Sequence, residues 1–227
     1  ALDRGIIDAT PIARVQRRTK PKERMRKRWL PDAEIKAVWF AANNLGYPFG
    51  PFVKMLLLTG QRRSEVAGMR WDEINNDVWT IPATKTKNKE DHEVPLSPAA
   101  VQLLKDTPNT GDYVFMSGRS KAGNPISGFS KAKAYLDKHI GDNGLQMEQW
   151  GFHDLRRTVR THMSRLNVAS EIAERVLNHT PQGIEAVYDR HGYLDEKRKA
   201  LEAWSDYLSL TLNDGTAANV VKLKART

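Results

Sequence analysis

The spacing of apolar residues predicts three consecutive helices in the part of the chain that follows residue 30. In the first, the apolar positions recur at intervals of three and four, the period of one helix face: Ile35, Val38, Trp39 and Ala42. Gly46 and Pro48 end this run. The next segment, FGPFVKMLLLTG, is almost wholly apolar and predicts a buried helix. A third helix is expected in RRSEVAGMRW, directly after Gly60.

Short runs of β-branched and aromatic residues then replace the helical period. DVWTIPA and HEVPLS flank the lysine-rich turn TKTKNKED, and EINN precedes them, which predicts a small antiparallel sheet of two or three strands. After Pro98 the pattern is again mostly helical. The last predicted helix is amphipathic, with four apolar residues on one side: Leu194, Leu201, Trp204 and Leu208. The expected fold class is mainly α with a small antiparallel β-sheet (α+β).

Composition indicates the class of partner. The 227 residues include no cysteine, which excludes disulfides, thiolate catalysis and the common zinc clusters and fits a cytosolic protein. No run approaches the roughly 18–20 apolar residues that cross a bilayer. The formal net charge of +9 favours a polyanionic partner, most often nucleic acid. An anionic membrane surface is disfavoured, because no basic amphipathic helix has an aromatic apolar face.

The most basic stretch lies near the beginning of the chain. In residues 11–30, nine of the twenty side chains are Lys or Arg, two prolines interrupt the segment and no apolar period holds. Two interpretations stay open: a solvated linker, or a segment that follows a phosphate backbone. Since the sequence starts without Met or a signal-peptide layout, we expect it to come from the middle of a longer protein.

The helix predicted in GFHDLRRTVRTHMSRL divides its polar residues between two faces. His162 shares the apolar side, where a structural histidine is the simpler interpretation. His153, Arg156 and Arg160 are three and four residues apart and are predicted to lie on the opposite, exposed half. Such a face suits a phosphate, because guanidinium groups bind its oxygens and an imidazole transfers protons. Basic helical faces are common, so this observation alone is weakly specific.

Two further groups of cations are candidates for the same site. Arg62 follows the end of the apolar helix, and Glu65 is placed to hold it through a charged hydrogen bond, although an ordinary surface ion pair is the simpler alternative. The predicted hairpin turn carries three lysines, which are usually only solvated: Lys85, Lys87 and Lys89.

The segment NHTPQGIEAVYDRHGY contains two tyrosines, two histidines and an arginine. A phenol has an ordinary pKa of about 10 and is a poor nucleophile at neutral pH. The segment is therefore either a solvated surface stretch, or one of its tyrosines is surrounded by cations so that it loses its proton.

Taken in order, these motifs resemble those of the tyrosine recombinases, in particular the phage and genomic-island integrases. The ordered elements are TGQR, a lysine-bearing turn before VPLS, the HDLR helix, LNH, and a tyrosine nine residues after that histidine. The resemblance runs from about Arg28 to Leu212. The layout LNHT…AVYDRHGYLDEKRKALEAW is especially similar to the prophage branch. The resemblance implies the catalytic-domain fold of DNA breaking-rejoining enzymes.

The resemblance also implies a role for each matching residue. Arg62 and Arg156 correspond to the two catalytic arginines, His153 to the histidine of HxxR, His179 to the His/Trp position and Tyr188 to the nucleophile. Lys87 is the better match for the catalytic lysine, with Lys85 as the competing choice. Glu65 would support Arg62, and Tyr193 would pack against or cap the next helix. No metal or other cofactor is implied.

A domain division and a set of DNA contacts follow from the same resemblance. Residues 1–27 would be the end of a core-binding domain and a basic linker, 28–212 the catalytic domain and 213–227 a tail. The predicted DNA-contacting residues are Arg17, Arg18, Lys20, Arg26, Lys27, Arg28 and Arg160. The expected partners are double-stranded DNA at an attachment site, three further copies in a synaptic tetramer and DNA-bending accessory proteins. The fragment alone is expected to be a monomer, and the expected location is the bacterial cytoplasm, in association with the nucleoid.

Three alternatives compete with the recombinase interpretation. A type IB topoisomerase shares the cleavage chemistry, but TGQRRSEVAGMRW and YDRHGYLDEKR are more similar to integrases. A DNA-binding protein without catalysis is disfavoured because candidates occupy all six catalytic positions. A metal hydrolase is disfavoured because the sequence has no HxH or HxxxH pair and no clustered carboxylates.

Overall fold

Helices form most of the secondary structure, as the apolar spacing predicts. The computed structural model describes residues 27–117, 123–179 and 192–213. The helices of these ranges are α1 (Asp32–Leu45), α2 (Phe49–Thr59), α3 (Arg63–Ala67), α4 (Pro98–Lys105), α5 (Phe129–Asp142), α6 (Phe152–Arg165), α7 (Ser170–Val176) and α8 (Leu194–Leu212). The strands are β1 (Ile74–Asn75), β2 (Val78–Ile81) and β3 (His92–Pro95).

Helix α2 lies at the centre of the core, as its apolar sequence predicts. It contacts α1, α3, α4, α6 and α8, and Phe52 through Leu58 are buried except for Lys54. Gly60 ends the helix in the left-handed conformation, and its N–H donates to the Leu56 carbonyl at 2.9 Å. A Cβ there would lie 3.0 Å from Val159 and from Leu177. Only glycine therefore fits this turn, which directs the chain from the core into Arg62.

The three strands form one antiparallel sheet in the order β1-β2-β3, which confirms the predicted sheet. Trp79 pairs with Val94, and both side chains are buried, whereas the alternate position Glu93 is exposed. This period of two is the pattern from which the strands were predicted. The sheet presents the turn between β2 and β3, which carries the three lysines, at one end.

The long C-terminal helix α8 packs its apolar side on the core, as predicted. Leu201, Trp204 and Leu208 are buried, and Leu194 is partly buried. The Trp204 indole N–H donates to the Leu57 carbonyl at 2.7 Å, which joins α8 to α2. No helix in the described ranges is both long and apolar enough to cross a membrane.

Buried His162 joins the beginning of α1 to α6. Its Nδ1 lies 2.9 Å from the Thr158 carbonyl, and its Nε2 lies 3.2 Å from Oδ1 of Asp32. Tyr207 of α8 donates to the other Asp32 oxygen at 2.8 Å. The prediction of a structural histidine is confirmed.

Several predicted features fall outside the described residues. They are the nucleophile Tyr188, the basic residues Arg17, Arg18, Lys20 and Arg26, and almost all of the predicted tail 213–227.

Candidate active site

Arg62 is held at the junction between α2 and α3. It is the N-terminal cap residue of α3, and its backbone N–H donates to Oε2 of Glu65 at 2.9 Å. Its guanidinium pairs with the other Glu65 oxygen at 2.6 Å and donates from Nη2 to the Asn178 carbonyl at 3.1 Å. Glu65 is 2% exposed, so this is a buried support rather than the simple surface ion pair considered as the alternative.

Arg156 lies beside Arg62, but it is buried, which corrects the prediction that it lies on an exposed helical face. Only 4% of the residue is exposed. Its guanidinium donates to the Gly60 carbonyl at 3.0 Å and to the Leu177 carbonyl. Burial, with the neighbouring Arg62 cation as the next cause, lowers the pKa of Arg156 to about 10. Periodicity failed here because it cannot distinguish a buried cation from an exposed one.

The C-terminal end of α7 is the element that brings the two arginines together. Asn178 adopts the left-handed conformation there, with φ 51°. Its N–H donates to Arg175 O at 3.1 Å, and the N–H of His179 donates to Glu174 O at 3.0 Å, the hydrogen-bond pair of a Schellman motif. The following carbonyls point away from the helix, and those of Leu177 and Asn178 accept from the arginines. A helix C-terminus carries partial negative charge, so it suits two cations.

Two buried residues that the sequence interpretation missed complete this helix end. The Val176 carbonyl accepts from Nε2 of Gln61 at 2.8 Å and lies 3.2 Å from Nε2 of His92. Burial lowers the pKa of His92 to about 3, with the nearby Lys197 as the next cause, so the imidazole is neutral and donates to this carbonyl. The alternation of β3 places His92 on the same face as buried Val94, which was the available signal.

His153 lies in the first turn of α6, three residues before Arg156, and is largely exposed. Partial burial and the neighbouring Arg157 and Arg156 cations lower its pKa from the ordinary value of histidine. The ring is therefore neutral at pH 7 and able to accept a proton. The cap of this helix is formed by Asp154, whose carboxylate accepts from the N–H of Gly151 at 2.9 Å.

His179 is connected to Arg160 through one carboxylate. Oε2 of Glu174 contacts Nδ1 of His179, and Oε1 accepts from Nε of Arg160 at 2.7 Å. Burial acts in the opposite direction, but the bonds from Arg160 and His179 keep the pKa of Glu174 below its usual value. A carboxylate on Nδ1 favours a proton there and leaves Nε2 for a ligand. Arg160 also donates to Ser170 at 2.8 Å, so its guanidinium is engaged within the protein.

The guanidinium groups of Arg62 and Arg156 and the neutral imidazole of His92 all contact the C-terminal end of α7. Glu65 pairs with Arg62, and Glu65 and Glu174 both act electrostatically on Arg156. Arginine forks at such a place bind the oxygens of a phosphate or carboxylate.

Comparison with known proteins identifies the family. The sequence profile of the phage integrase family matches residues 28–193. The chain belongs to the phage integrase family.

Individual relatives agree with this assignment. The prophage integrase IntZ of Escherichia coli K12 is 28% identical over 219 residues, which cover 91% of this chain and 51% of IntZ. The prophage integrase IntA of the same strain is 31% identical over 156 residues, 66% of this chain and 36% of IntA. The chain thus spans about half or less of the length of these curated relatives.

Solved structures share the fold. A lambda integrase (75–356) dimer bound to a COC′ core site has a TM-score of 0.59 at 19% identity, covering 84% of this chain and 69% of that one. The lambda integrase catalytic core has a TM-score of 0.52 at 20% identity, covering 66% of this chain and 94% of that one. The predicted fold class and the predicted tyrosine recombinase catalytic domain are confirmed.

Within this integrase fold, the two competing lysines differ in their contacts. Nζ of Lys85 donates to the Gly68 carbonyl at 2.7 Å and forms an ion pair with Glu73, so it joins the turn to the rest of the domain. Lys87 lies at the exposed part of the same turn. Lys85 is thus engaged within the domain, whereas Lys87 is exposed.

The remaining predicted residues of the integrase site have different environments. Tyr193 is the N-terminal cap residue of α8, so its predicted position at the start of the next helix is confirmed, and the guanidinium of Arg175 in α7 lies 3.9 Å from its ring centroid. Lys27 is exposed. Arg28 is mostly buried, pairs with Glu34 and donates to the Trp29 carbonyl at 2.7 Å.

Proposed function

We propose that this chain is the catalytic part of a site-specific recombinase that cleaves and rejoins DNA through a covalent 3′-phosphotyrosine at Tyr188, in the integration or excision of a prophage or genomic island. The observation that carries the proposal is the adjacent placement of Arg62 and Arg156. The fold holds these two positive charges side by side and buries one of them, although burial and the neighbouring cation disfavour the charged form of Arg156 and lower its pKa. Such an arrangement is useful for binding an anion whose charge grows during a reaction.

The proposed reaction is a transfer of one phosphodiester between two alcohols. The Tyr188 oxygen attacks phosphorus as the phenolate and forms the new O–P bond, while the bond from phosphorus to the 5′-oxygen breaks. Arg62 and Arg156 bind the non-bridging oxygens, and His179, with a proton on each ring nitrogen, donates to one of them through Nε2. Rejoining is the same step with the 5′-hydroxyl of another strand as the attacking group, so the phosphodiester energy is conserved.

Two proton transfers accompany cleavage. His153, which is neutral at pH 7 because its pKa is lowered, accepts the phenolic proton of Tyr188 directly or through water. Lys87 donates a proton to the departing 5′-oxygen, a role for which a compact ammonium group is suited. All charge stabilisation and proton transfer are assigned to side chains of this chain, so we propose a metal-independent reaction.

The proposed partners follow from relatives. One related structure is a lambda integrase tetramer bound to a Holliday junction, with a TM-score of 0.60 at 19% identity. We propose the same kind of DNA-bound tetramer here, in the bacterial cytoplasm, assisted by DNA-bending proteins. The basic residues near the beginning of the chain would contact phosphates, which position a protein but do not specify bases.

Covalent trapping tests the proposal directly. The chain is incubated with a pool of nicked suicide duplexes with a randomised core, and denaturation-resistant protein–DNA adducts are recovered, sequenced and tested individually. We expect an adduct that forms in EDTA, is lost in Tyr188→Phe and is kept in Tyr193→Phe. An adduct that survives Tyr188→Phe would exclude Tyr188 as the nucleophile. DNA binding without any adduct would instead favour a binding protein without catalysis.

A further inference from the structure

Asn178 occupies a position that usually requires glycine. Its φ of 51° is the left-handed conformation at the end of α7, where a Cβ is unfavourable and glycine is the common choice. Asparagine tolerates this conformation better than most residues, and its short polar side chain can form hydrogen bonds there. The amide of Asn178 finds them in a distant part of the chain.

The partner of Asn178 is Asn88, on the turn between β2 and β3. Nδ2 of Asn88 donates to Oδ1 of Asn178 at 3.0 Å, and Nδ2 of Asn178 donates to Oδ1 of Asn88 at 3.3 Å. Both residues are half-buried, and the two hydrogen bonds are reciprocal. We call this pair the amide latch. A latch of this kind fixes both the distance and the relative orientation of the two backbones.

Each residue of the amide latch adjoins a proposed active-site residue. Asn88 follows Lys87, and Asn178 precedes His179. The backbone carbonyl of Asn178 also accepts from Arg62 at 3.1 Å. The latch therefore spans from the lysine-bearing turn to the helix end that holds the arginines.

The turn has few other connections at this point. Thr86 donates to the Glu90 carbonyl at 2.8 Å, and Asp91 accepts from the N–H of Ala83 at 2.7 Å, so these bonds stay within the turn. Lys85 anchors only the beginning of the turn, to Glu73 and Gly68. The amide latch connects this turn to the residues that follow α7.

We propose that Asn88 and Asn178 are positioning residues that place Lys87 next to the 5′-oxygen of the DNA held by Arg62 and Arg156. This inference rests on the proposed function, in which Lys87 protonates the leaving group. Without the latch, the turn carrying Lys87 would spend more time away from the phosphate. Cleavage would then lose proton donation, while the arginines would bind DNA as before.

The test uses duplexes with an oxygen or a sulfur at the 5′-bridging position of the scissile phosphate. A thiolate leaves without protonation, so a defect in proton donation disappears on the sulfur substrate. For Asn88→Ala and for Asn178→Gly, which keeps the left-handed turn, we expect single-turnover adduct formation about 10-fold slower on the oxygen substrate, or about 1.4 kcal/mol. On the sulfur substrate we expect the wild-type rate. The double variant should be no slower than either single one, because both remove the same contact.

Controls separate this proposal from its alternatives. Asn76→Gly replaces another left-handed asparagine, with φ 54°, in the β1–β2 turn. This control should keep the wild-type rate on both substrates. Lys87→Ala should show the same sulfur rescue, with a larger defect. Wild-type rates in both latch variants would overturn the proposed role of the amide latch. Equal slowing on both substrates, in variants with the wild-type melting temperature, would overturn it too. Either result would leave the proposed function standing. No adduct from the unmodified chain on either substrate would overturn the proposed function together with the latch.

Discussion

Glu65 contacts Arg62 twice, once at the backbone and once at the side chain. One carboxylate oxygen accepts from the Arg62 N–H at 2.9 Å, and the other pairs with its guanidinium at 2.6 Å. The same carboxylate thus begins helix α3 and orients the arginine that this helix presents. Since Glu65 is almost completely buried, the pair has little competition from water.

Glu65→Gln should slow cleavage in the protein that remains folded, and the loss of a buried counter-charge should also lower stability. The amide keeps the size of the side chain but provides one acceptor oxygen instead of two and no charge, so Arg62 loses its orientation. We expect single-turnover cleavage to be slower by about 10- to 100-fold, corresponding to about 1.4–2.7 kcal/mol of transition-state stabilisation. Glu171→Gln, which alters an ion pair of the exposed Glu171 with Arg175, is the matched control. Equal rates in the two variants would contradict the role of Glu65.

Lys85 and Lys87 should separate stability from catalysis. Lys85→Met removes the ion-pair partner of Glu73 and the side-chain donor to the Gly68 carbonyl, so the free energy of unfolding should fall by about 1–2 kcal/mol. Its cleavage rate should stay within a factor of a few. Lys87→Met should leave urea unfolding unchanged and slow cleavage strongly. The reverse pattern would identify Lys85 as the catalytic lysine.

His92 should make the folded state sensitive to mild acid. In the unfolded chain its pKa is the ordinary 6.5, whereas in the fold burial lowers it to about 3. The unfolded state therefore binds more protons between these values, and stability falls as the pH drops below 6.5. At pH 5 the titration of His92 lowers the free energy of unfolding by about 2 kcal/mol.

Urea unfolding at pH 7 and at pH 5 measures this effect. His92→Gln keeps a donor for the Val176 carbonyl but does not titrate. We expect the variant to lose about 2 kcal/mol less than the wild type between these two pH values. An equal loss in both proteins would show that His92 is not responsible.

Arg160 and Lys27 should differ in the salt dependence of DNA binding, although both are predicted DNA contacts. Arg160 is engaged by Glu174 and Ser170, whereas Lys27 is exposed. Each lost phosphate contact lowers the slope of log K against log salt by about one. We expect this change in Lys27→Ala and not in Arg160→Ala, which should lower the melting temperature instead. Filter binding on a trapped duplex over a salt series decides between them.

The elements of the fold were largely predictable from local patterns. The three–four spacing of α1 and the alternation of β2 and β3 determine which face each element buries, and burial of that face is what stabilises it. The order of the chemical motifs was sufficient for the family, because it depends only on the residues and their spacing. Glu65 was also predictable as the support of Arg62, since three residues on a helix bring two side chains together.

Tertiary structure alone decided how the candidate site is assembled. The carbonyl groups of Val176, Leu177 and Asn178 carry no sequence signal, yet they hold Gln61, His92 and the two arginines. Periodicity placed Arg156 on an exposed face, but a buried guanidinium is stable when distant backbone oxygens accept its hydrogen bonds. The contacts of Lys85 and Lys87 differ for the same reason: Glu73 and Gly68 contact Lys85, whereas Lys87 is exposed. What the sequence by itself determined was the local elements and the motif residues, whereas contacts between distant segments decided which cations are buried, paired or exposed.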